Sequence, residues 1–295
     1  MTERTPPQVI IGLIIAIGLG AFIAWAGSQG GERFDGMPIF ALCAAWAFLV
    51  NWLVFVPSAI AQTEKFYDLT GGIAYVTTVV IAVYLSSSLD LRATLVAAMV
   101  VFWALRLSTF LFLRIRAAGH DSRFDTIKVW PLRFFFAWTL QGLWVILTAS
   151  AALVVITGGN RVPLDAFAVV GILVWLLGIT FEVIADRQKS KFKADSNNDG
   201  TFITTGLWAW SRHPNYFGEI VLWLGIAIIA IPVLQGWQWV SMISPVFVFV
   251  LLTRVSGVNM LEEKSDQRWG AQPAYEKYKK NTPVLFPRPP SKTND

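Results

Sequence analysis

A dense group of polar side chains lies at residues 211–219, where the chain enters a long apolar run. Pro214 favours the start of a helix there, because its missing N–H costs nothing in the first turn. A helix N-terminus carries unpaired N–H donors and partial positive charge, which suit an anionic ligand, and Arg212 can bind a phosphate through two hydrogen bonds. The alternative is structural: Ser211 or Asn215 caps the helix, and Arg212 reaches the lipid head groups. The predicted ligand-binding residues of this stretch are Arg212, His213, Asn215, Tyr216 and Glu219.

A second polar group, at residues 181–193, has the spacing of one helix face. Glu182 and Asp186 are four residues apart, and Lys189 and Lys193 continue the same face toward the end of the helix. Two carboxylates followed by two ammonium groups can present acceptors to a ribose or an amide and cations to phosphates. The lysines alone are equally well explained as a solvated helix end. Glu182 lies within a turn of apolar residues, where an uncompensated charge is costly, and this favours a functional role.

A third polar group, at residues 61–72, precedes another apolar run. Gln62, Glu64 and Tyr67 supply an amide, a carboxyl group and a phenol, and these three are the predicted catalytic residues. Gly71 and Gly72 permit the close approach of another helix or of a ligand. A polar turn without a catalytic role explains the same residues equally well.

Arg106 is the one cation that lies well inside an apolar run. A guanidinium at that depth needs an acidic partner or a water-filled cavity, so it is a candidate for function. We expect Glu182 or Glu64 to be its partner.

These polar groups interrupt a chain that is unusually apolar. Hydrophobic residues make up 55% of it and charged residues only 15%, against roughly a quarter in soluble domains. A membrane-spanning helix needs about 20 mostly apolar residues, and the first qualifying run lacks a clear signal-peptide cleavage site. The sequence therefore predicts an all-α integral membrane protein with seven or eight transmembrane helices. The runs are residues 9–26, 38–56, 71–88, 93–113, 131–156, 164–185, 216–234 and 239–253.

The positive charges between these runs predict the orientation of the chain. Lys and Arg concentrate after the even-numbered runs and are sparse after the odd-numbered ones. Because loops rich in Lys and Arg stay in the cytoplasm, we predict cytoplasmic termini and one membrane domain, residues 1–295, in the inner (plasma) membrane. The net charge of +5 thus points to the lipid bilayer and not to nucleic acid. One cysteine and two histidines in different settings predict no metal site, and the oligomeric state is left open.

The polar groups belong to motifs with a recognisable combination. There are four such motifs in the second half of the chain: ADRQxxxF at residues 185–192, TGLWxxSRHPNYFGE at 205–219, SGV at 256–258 and YxxYxxxTPxxxP at 275–287. Together they resemble the bacterial branch of the steroid 5α-reductase family, uncharacterised membrane proteins with a 5α-reductase-like C-terminal domain, here residues 181–290. The RHPNY core is shared with the sterol Δ14- and Δ7-reductases. A looser RHPxY occurs in isoprenylcysteine carboxyl methyltransferases.

The resemblance implies an NADPH-dependent reductase of the 3-oxo-5α-steroid 4-dehydrogenase type. Its cofactor pocket would open to the cytosol, and hydride would pass to an activated C=C bond of a lipophilic substrate, a steroid or another enone lipid. By position Glu182 replaces an Asn of the steroid enzymes, while Asp186, Asn215 and Glu219 match an Asp, an Asn and a Glu. The implied NADPH-binding residues are Arg106, Glu182, Asp186, Lys189, Lys193, Arg212, His213, Asn215, Tyr216, Glu219 and Arg254.

The substrate end departs from the family. The steroid enzymes polarise a ketone with a Glu or Gln and a Tyr; Glu64 or Gln62 can supply the first. The matching Tyr is Trp103 here, and an indole cannot protonate an enolate. Tyr67 or Tyr75 would have to replace it, so steroid substrates are less well supported than reductase chemistry.

Two other classes of function compete with the reductase. A methyltransferase that uses S-adenosylmethionine would share the RHPxY motif, but its cofactor has no phosphates, which leaves the cations around Asp186 and Arg212 without a purpose. A transporter usually places polar residues at broken helices near the membrane midplane, and only Arg106 fits that description.

Overall fold

The computed structural model describes residues 5–290 and is 76% helical. The first four residues and the last five, which belong to the predicted cytoplasmic termini and the predicted domain 1–295, lie outside the described residues. An antiparallel hairpin of β1 (Arg33–Phe34) and β2 (Met37–Pro38) is the sheet of the described chain. The helices are α1 Pro6–Gly27, α2 Ile39–Ile60, α3 Tyr67–Leu85, α4 Leu91–Ala118, α5 Pro131–Thr157, α6 Ala166–Ala194, α7 Pro214–Ala230, α8 Ile243–Val250, α9 Val258–Trp269 and α10 Pro273–Asn281.

Eight helical segments are long and apolar enough to cross a membrane, as predicted. The first six lie within α1 to α6, and the seventh, Pro214–Val233, comprises α7 and the 3₁₀ turn after it. The eighth runs over Gly236–Trp269, where a 3₁₀ segment, α8, a π-helical turn (Leu251–Val255) and α9 follow one another. Large apolar side chains on α1, among them Ile10, Ile11, Ile14 and Ile15, are exposed. A helix that is apolar on all faces belongs in lipid or in a protein core, so the protein is an all-α multi-span membrane protein.

The described chain divides into two compact units. Unit 1 comprises residues 5–168 and 229–244. Its centre is α5, of which 89% of the most apolar window is buried, and α1, α2, α3 and α4 pack against it. Gly142 permits this packing, since a Cβ there would come within 2.9 Å of the Phe48 ring.

Unit 2 comprises residues 169–228 and 245–290. Its main contact is between α6 and α7, where glycines let the two backbones touch. A Cβ on Gly178 would lie 2.6 Å from the Gly218 carbonyl oxygen, and one on Gly218 would lie 2.6 Å from the Glu182 nitrogen. A Cβ on Gly225 would lie 2.6 Å from the Trp175 nitrogen. Small residues that let helices approach closely are typical of membrane proteins.

The chain after α10 also belongs to unit 2 and pairs with the loop before α7. The Arg212 N–H donates to the Pro283 carbonyl (2.9 Å), and the Arg288 N–H donates to the Trp210 carbonyl (3.0 Å). The Ser211 hydroxyl donates to the Leu285 carbonyl at 2.8 Å. This part of the chain therefore consists of a short helix, α10, and a segment over residues 282–288 that is held against the loop before α7.

Candidate functional site

The glycine contact between α6 and α7 brings two of the predicted polar groups together. Gly218 lies against the backbone of Glu182, so the last turns of α6 run beside the first turns of α7. Asp186 then accepts a hydrogen bond from the side-chain amide of Asn215 at 3.3 Å. Glu182 is 1% exposed and Asp186 is 6% exposed. Two carboxyl groups buried at one helix crossing form an acceptor-rich site, which is what the sequence predicts for a ribose or an amide.

A third acidic residue, Glu262 on α9, joins Arg212 and His213. One Glu262 oxygen lies 2.6 Å from Nη1 of Arg212, and the other lies 2.8 Å from Nε2 of His213. His213 also stacks on the Tyr216 ring, with centroids 5.6 Å apart and planes 9° apart. We call Glu182, Asp186, Arg212, His213, Asn215 and Glu262 the α6–α7 cluster.

The hydrogen bond between His213 and Glu262 determines which ring nitrogen of His213 is left to accept a hydrogen bond. Burial lowers the pKa of His213 below its ordinary value of 6.5, and this outweighs the neighbouring Glu262 carboxylate, which raises it. The neutral ring donates from Nε2 to Glu262, because a carboxylate paired with Arg212 only accepts. Nδ1 is then an acceptor, and within residues 5–290 it has no hydrogen-bond partner. This nitrogen suits a hydroxyl or amide N–H of a ligand better than a phosphate.

Arg212 has hydrogen-bond donors that are available to a ligand, whereas the free nitrogen of His213 is an acceptor. Its side chain is 11% exposed, and within residues 5–290 neither Nε nor Nη1 makes a hydrogen bond of good geometry. Buried guanidinium N–H groups are normally paired. The donors of Arg212 therefore fit an anionic group such as a phosphate.

The other predicted cations differ in burial. The Lys189 ammonium lies 4.4 Å from the centre of the Trp208 ring, and the Trp208 indole donates to the Ala185 carbonyl at 3.0 Å. This contact fixes Lys189 at the end of α6. Lys193 and Arg254 are exposed, and Tyr216 and Glu219 on α7 are half-buried.

The predicted catalytic group lies in unit 1 and is engaged in other contacts. Gln62 is an exposed turn residue with a φ of 46°. Glu64 is buried and accepts from the Lys128 ammonium at 2.7 Å and from the Asp121 N–H at 3.1 Å. Burial raises the pKa of Glu64, but these hydrogen bonds outweigh that effect and lower it below its ordinary value. The Tyr67 hydroxyl donates to the Ala137 carbonyl at 2.9 Å.

Tyr75 lies beside Trp103. Its ring meets the Trp103 ring edge-on, with centroids 5.1 Å apart. Its hydroxyl lies 3.4 Å from the Trp144 carbonyl oxygen, a longer contact than the one made by Tyr67. Arg106 is stacked 5.8 Å from the Phe110 ring centre; its pairing with Glu64 or Glu182 stays a prediction.

Sequence reasoning missed Glu262 and the four glycines of the helix contact. Glu262 lies in a charged tail, and nothing in its neighbourhood distinguishes it from Glu263. The glycines carried a usable signal: Gly171 and Gly178 are seven residues apart on α6, and so are Gly218 and Gly225 on α7. Small residues repeated at that spacing lie on one helix face.

The eight spans define an all-α multi-span membrane protein, and its second unit holds a buried polar cluster where α6 meets α7. The chain belongs to the family described as protein of unknown function (DUF1295), which matches residues 54–282. This is a 5α-reductase-like membrane family. The match covers both the predicted catalytic residues and the α6–α7 cluster.

The chain is also similar to the uncharacterized protein C594.04c of Schizosaccharomyces pombe. The two are 25% identical over 228 residues, which are 67% of this chain and 64% of that protein. The chain thus covers somewhat less than two thirds of this relative's length. No solved structure matches the chain.

Proposed function

We propose that the protein is a membrane-embedded, NADPH-dependent reductase of an activated C=C bond in a lipophilic substrate. The observation that carries this proposal is the α6–α7 cluster, in which buried carboxylates and an amide lie next to a buried guanidinium and a neutral imidazole. NADPH combines hydroxyl and amide groups with several phosphates, so it presents complementary groups along its length. The resemblance of the sequence motifs to those of the steroid 5α-reductases supports the same assignment.

The described contacts assign parts of the cofactor to parts of the cluster. Arg212 and Lys189 would hold phosphates, with Lys193 and Arg254 at the exposed edge. Asn215 offers a donor and an acceptor, which match a carboxamide, and Glu182, Asp186 and Glu219 accept from amide or hydroxyl groups. The Nδ1 atom of His213 would accept from a ribose hydroxyl. Bound in this way, the cofactor would supply hydride to the substrate.

The substrate needs an electrophilic partner for its carbonyl group and a proton donor. Glu64 or Gln62 was predicted to polarise the carbonyl group, and Tyr67 or Tyr75 to supply the phenol. The hydroxyl of Tyr67 is held by Ala137, whereas the ring of Tyr75 lies directly against Trp103. We therefore propose Tyr75 as the phenol that replaces the missing tyrosine at Trp103.

We also propose that both termini face the cytoplasm and that the protein lies in the inner (plasma) membrane. The distribution of Lys and Arg supports this orientation. Reporter fusions after Arg33, Arg92 and Arg161 should score as periplasmic, and those after Lys128 and Lys193 as cytoplasmic. A cytoplasmic signal after Arg161 would contradict the orientation.

Nucleotide binding by the purified protein in detergent tests the reductase assignment. We expect NADPH to bind more tightly than NADH, because the cations near Asp186 suit an additional phosphate. Asn215→Ala and Glu219→Gln should each weaken NADPH binding by about tenfold or more, which corresponds to ~1.4 kcal/mol. Lys280→Gln, an exposed change on α10, is the matched control and should bind normally.

Three results would contradict the proposal. Normal NADPH affinity in well-folded Asn215→Ala and Glu219→Gln proteins would remove the site assignment. Equal affinities for NADPH and NADH would remove the role of the extra cations. Tight binding of S-adenosylmethionine with neither nucleotide would identify a methyltransferase instead.

A further inference from the structure

A separate cavity lies in unit 1, where α3 begins and α4 ends. Its volume is about 180 Å³, and its walls are Lys65, Phe66, Phe112, Ile115, Arg116 and Gly119. Lys65 and Phe66 come just before α3, and the other residues lie on the last turns of α4 or directly after it. The cavity is therefore lined by apolar side chains and by two cations.

The packing of α3 on α4 explains why a cavity forms there. A Cβ on Gly72 would collide with the Ser108 side chain, so the two helices are closest at this pair. Phe66 lies six residues before Gly72, and Phe112 lies four residues after Ser108. Past the tight contact, aromatic side chains separate the helix ends. Gly119, with a φ of 85°, ends α4 and leaves open space beside the cavity.

The two cations of the cavity differ from their neighbours in having no acidic partner. Lys128 pairs with Glu64 at 2.7 Å, and Arg123 pairs with Asp121 and Asp68. Across residues 5–290, by contrast, neither Lys65 nor Arg116 forms an ion pair. Nearby acids are thus already neutralised, and the positive charge on the cavity is uncompensated.

The cavity lies at the depth of the lipid head groups. Arg116 lies on the last turn of α4, and Lys65 comes two residues before α3. Because successive spans run in opposite directions, the end of one and the start of the preceding one meet at the same membrane surface. Cations at the ends of spans commonly contact phosphates of anionic lipids.

We propose that this cavity is a binding site for one anionic phospholipid of the surrounding membrane. Lys65 and Arg116 bind its phosphate, and its acyl chains lie along Phe66, Phe112 and Ile115. The volume corresponds to about six water molecules of liquid, which holds a phosphate with the adjoining glycerol carbons and leaves the chains in the bilayer. The site is distinct from the α6–α7 cluster and does not depend on the proposed reductase activity.

Native mass spectrometry of the detergent-purified protein tests this site. The probes are phosphatidylglycerol and phosphatidylcholine with identical acyl chains. We expect the wild type to bind phosphatidylglycerol about tenfold more tightly or better, since each cation near the membrane surface contributes to the attraction of anionic lipid. The double variant Lys65→Gln with Arg116→Gln should lose this preference. Each single variant should lose part of it.

Lys280→Gln is the control, because it removes one exposed positive charge elsewhere in the chain. It should keep the preference for phosphatidylglycerol. An unchanged preference in the folded double variant, or an equal loss in the control, would overturn the proposal. So would displacement of the lipid by inorganic phosphate or by palmitate at equal concentration, since the ligand would then be a free anion or a fatty acid. If the double variant does not fold, the single variants decide in the same way.

Discussion

Two buried arginines, one in each unit, differ in how many of their hydrogen-bond donors the protein uses. The guanidinium of Arg92 in unit 1 is fully buried, and all three of its nitrogens donate. Nε donates to the Val162 carbonyl, Nη1 to the Ile229 carbonyl, and Nη2 to both the Pro163 carbonyl and the Asp165 carboxylate. Four of its five N–H donors are thus used within the protein.

Arg212 in unit 2 is almost as buried but is incompletely bonded. Glu262 compensates its charge, and that carboxylate is shared with His213. Its Nε and Nη1 atoms make no hydrogen bond of good geometry within the described residues. A buried group with unused donors costs stability, and a bound partner can recover that cost. Burial alone therefore does not identify a site residue, whereas burial with unused bonding capacity does.

Replacing Arg92 should have the largest effect on stability. Arg92→Met removes four hydrogen bonds and leaves Asp165 without its cation. Hydrogen bonds to a charged group contribute about 1.5–3 kcal/mol each, while Asp165, whose side chain is 33% exposed, can be rehydrated. Thermal unfolding in detergent should show this loss, and protein that stays folded should bind NADPH normally. Weak NADPH binding by folded Arg92→Met protein would show that Arg92 also affects the ligand site, and the two arginines would then not differ in role.

Gly218→Ala should destabilise the protein by about 1–3 kcal/mol, the usual cost of overpacking. Its new Cβ would lie 2.6 Å from the Glu182 nitrogen and would push α6 and α7 apart. Because Asp186 and Asn215 bridge these helices close by, NADPH affinity should fall as well. Gly225→Ala is the matched control: its Cβ meets α6 just as closely at Trp175, so stability should fall but affinity should fall less. Equal losses of affinity would show that Gly218 acts only through general packing.

Arg212→Gln should lower NADPH affinity by about tenfold, or ~1.4 kcal/mol, with less loss of stability than Arg92→Met. Glu262 keeps its hydrogen bond to His213 in this variant, so its carboxylate still has a partner. Isothermal titration calorimetry and thermal unfolding of the same preparation measure both quantities. A stability loss as large as that of Arg92→Met, with normal affinity, would assign Arg212 a structural role.

The smallest expected effect is a pH dependence of stability from His213. Its folded-state pKa is below 6.5, mainly because it is buried. As the pH falls below 6.5, the unfolded state gains a proton first, so the free energy of unfolding decreases until the folded-state pKa is reached. His213→Gln should lose this part of the dependence when unfolding is measured between neutral and mildly acidic pH. Identical pH profiles would show that His213 does not titrate differently on folding.

The spans were predictable from sequence because their signal is local. Lipid requires about 20 consecutive apolar residues with internally bonded backbone, and a sequence window displays that directly. The predicted run 131–156 differs by one residue from α5, and the helix predicted to start at Pro214 does so. The eighth span was harder, since Gly236–Trp269 changes from 3₁₀ to α to π helix. Its last turns, in α9, are polar, so in the sequence they resemble a charged C-terminal tail.

The site was only partly predictable because its contacts join distant segments. The spacing of Glu182 and Asp186 on α6 indicated a common face, but their link to Asn215 depends on a helix crossing. The partner of Arg212 and His213 is 49 residues from the histidine. For Glu64, the sequence suggested catalysis, and the structure shows an ion pair with Lys128. Whether that carboxylate also acts on a substrate remains a prediction.

The pairing between the loop before α7 and the segment after α10 has a consequence for biosynthesis. Ser211 bonds to Leu285, which is 74 residues later in the chain. At ~5–20 residues per second, a ribosome needs about 4–15 s to cover that distance. During this time α6 and α7 can already be inserted, while the backbone on both sides of Ser211 has no strand-like partner. The pairing therefore forms only after Leu285 has been translated, and a nascent chain released before that point would carry α6 and α7 without it.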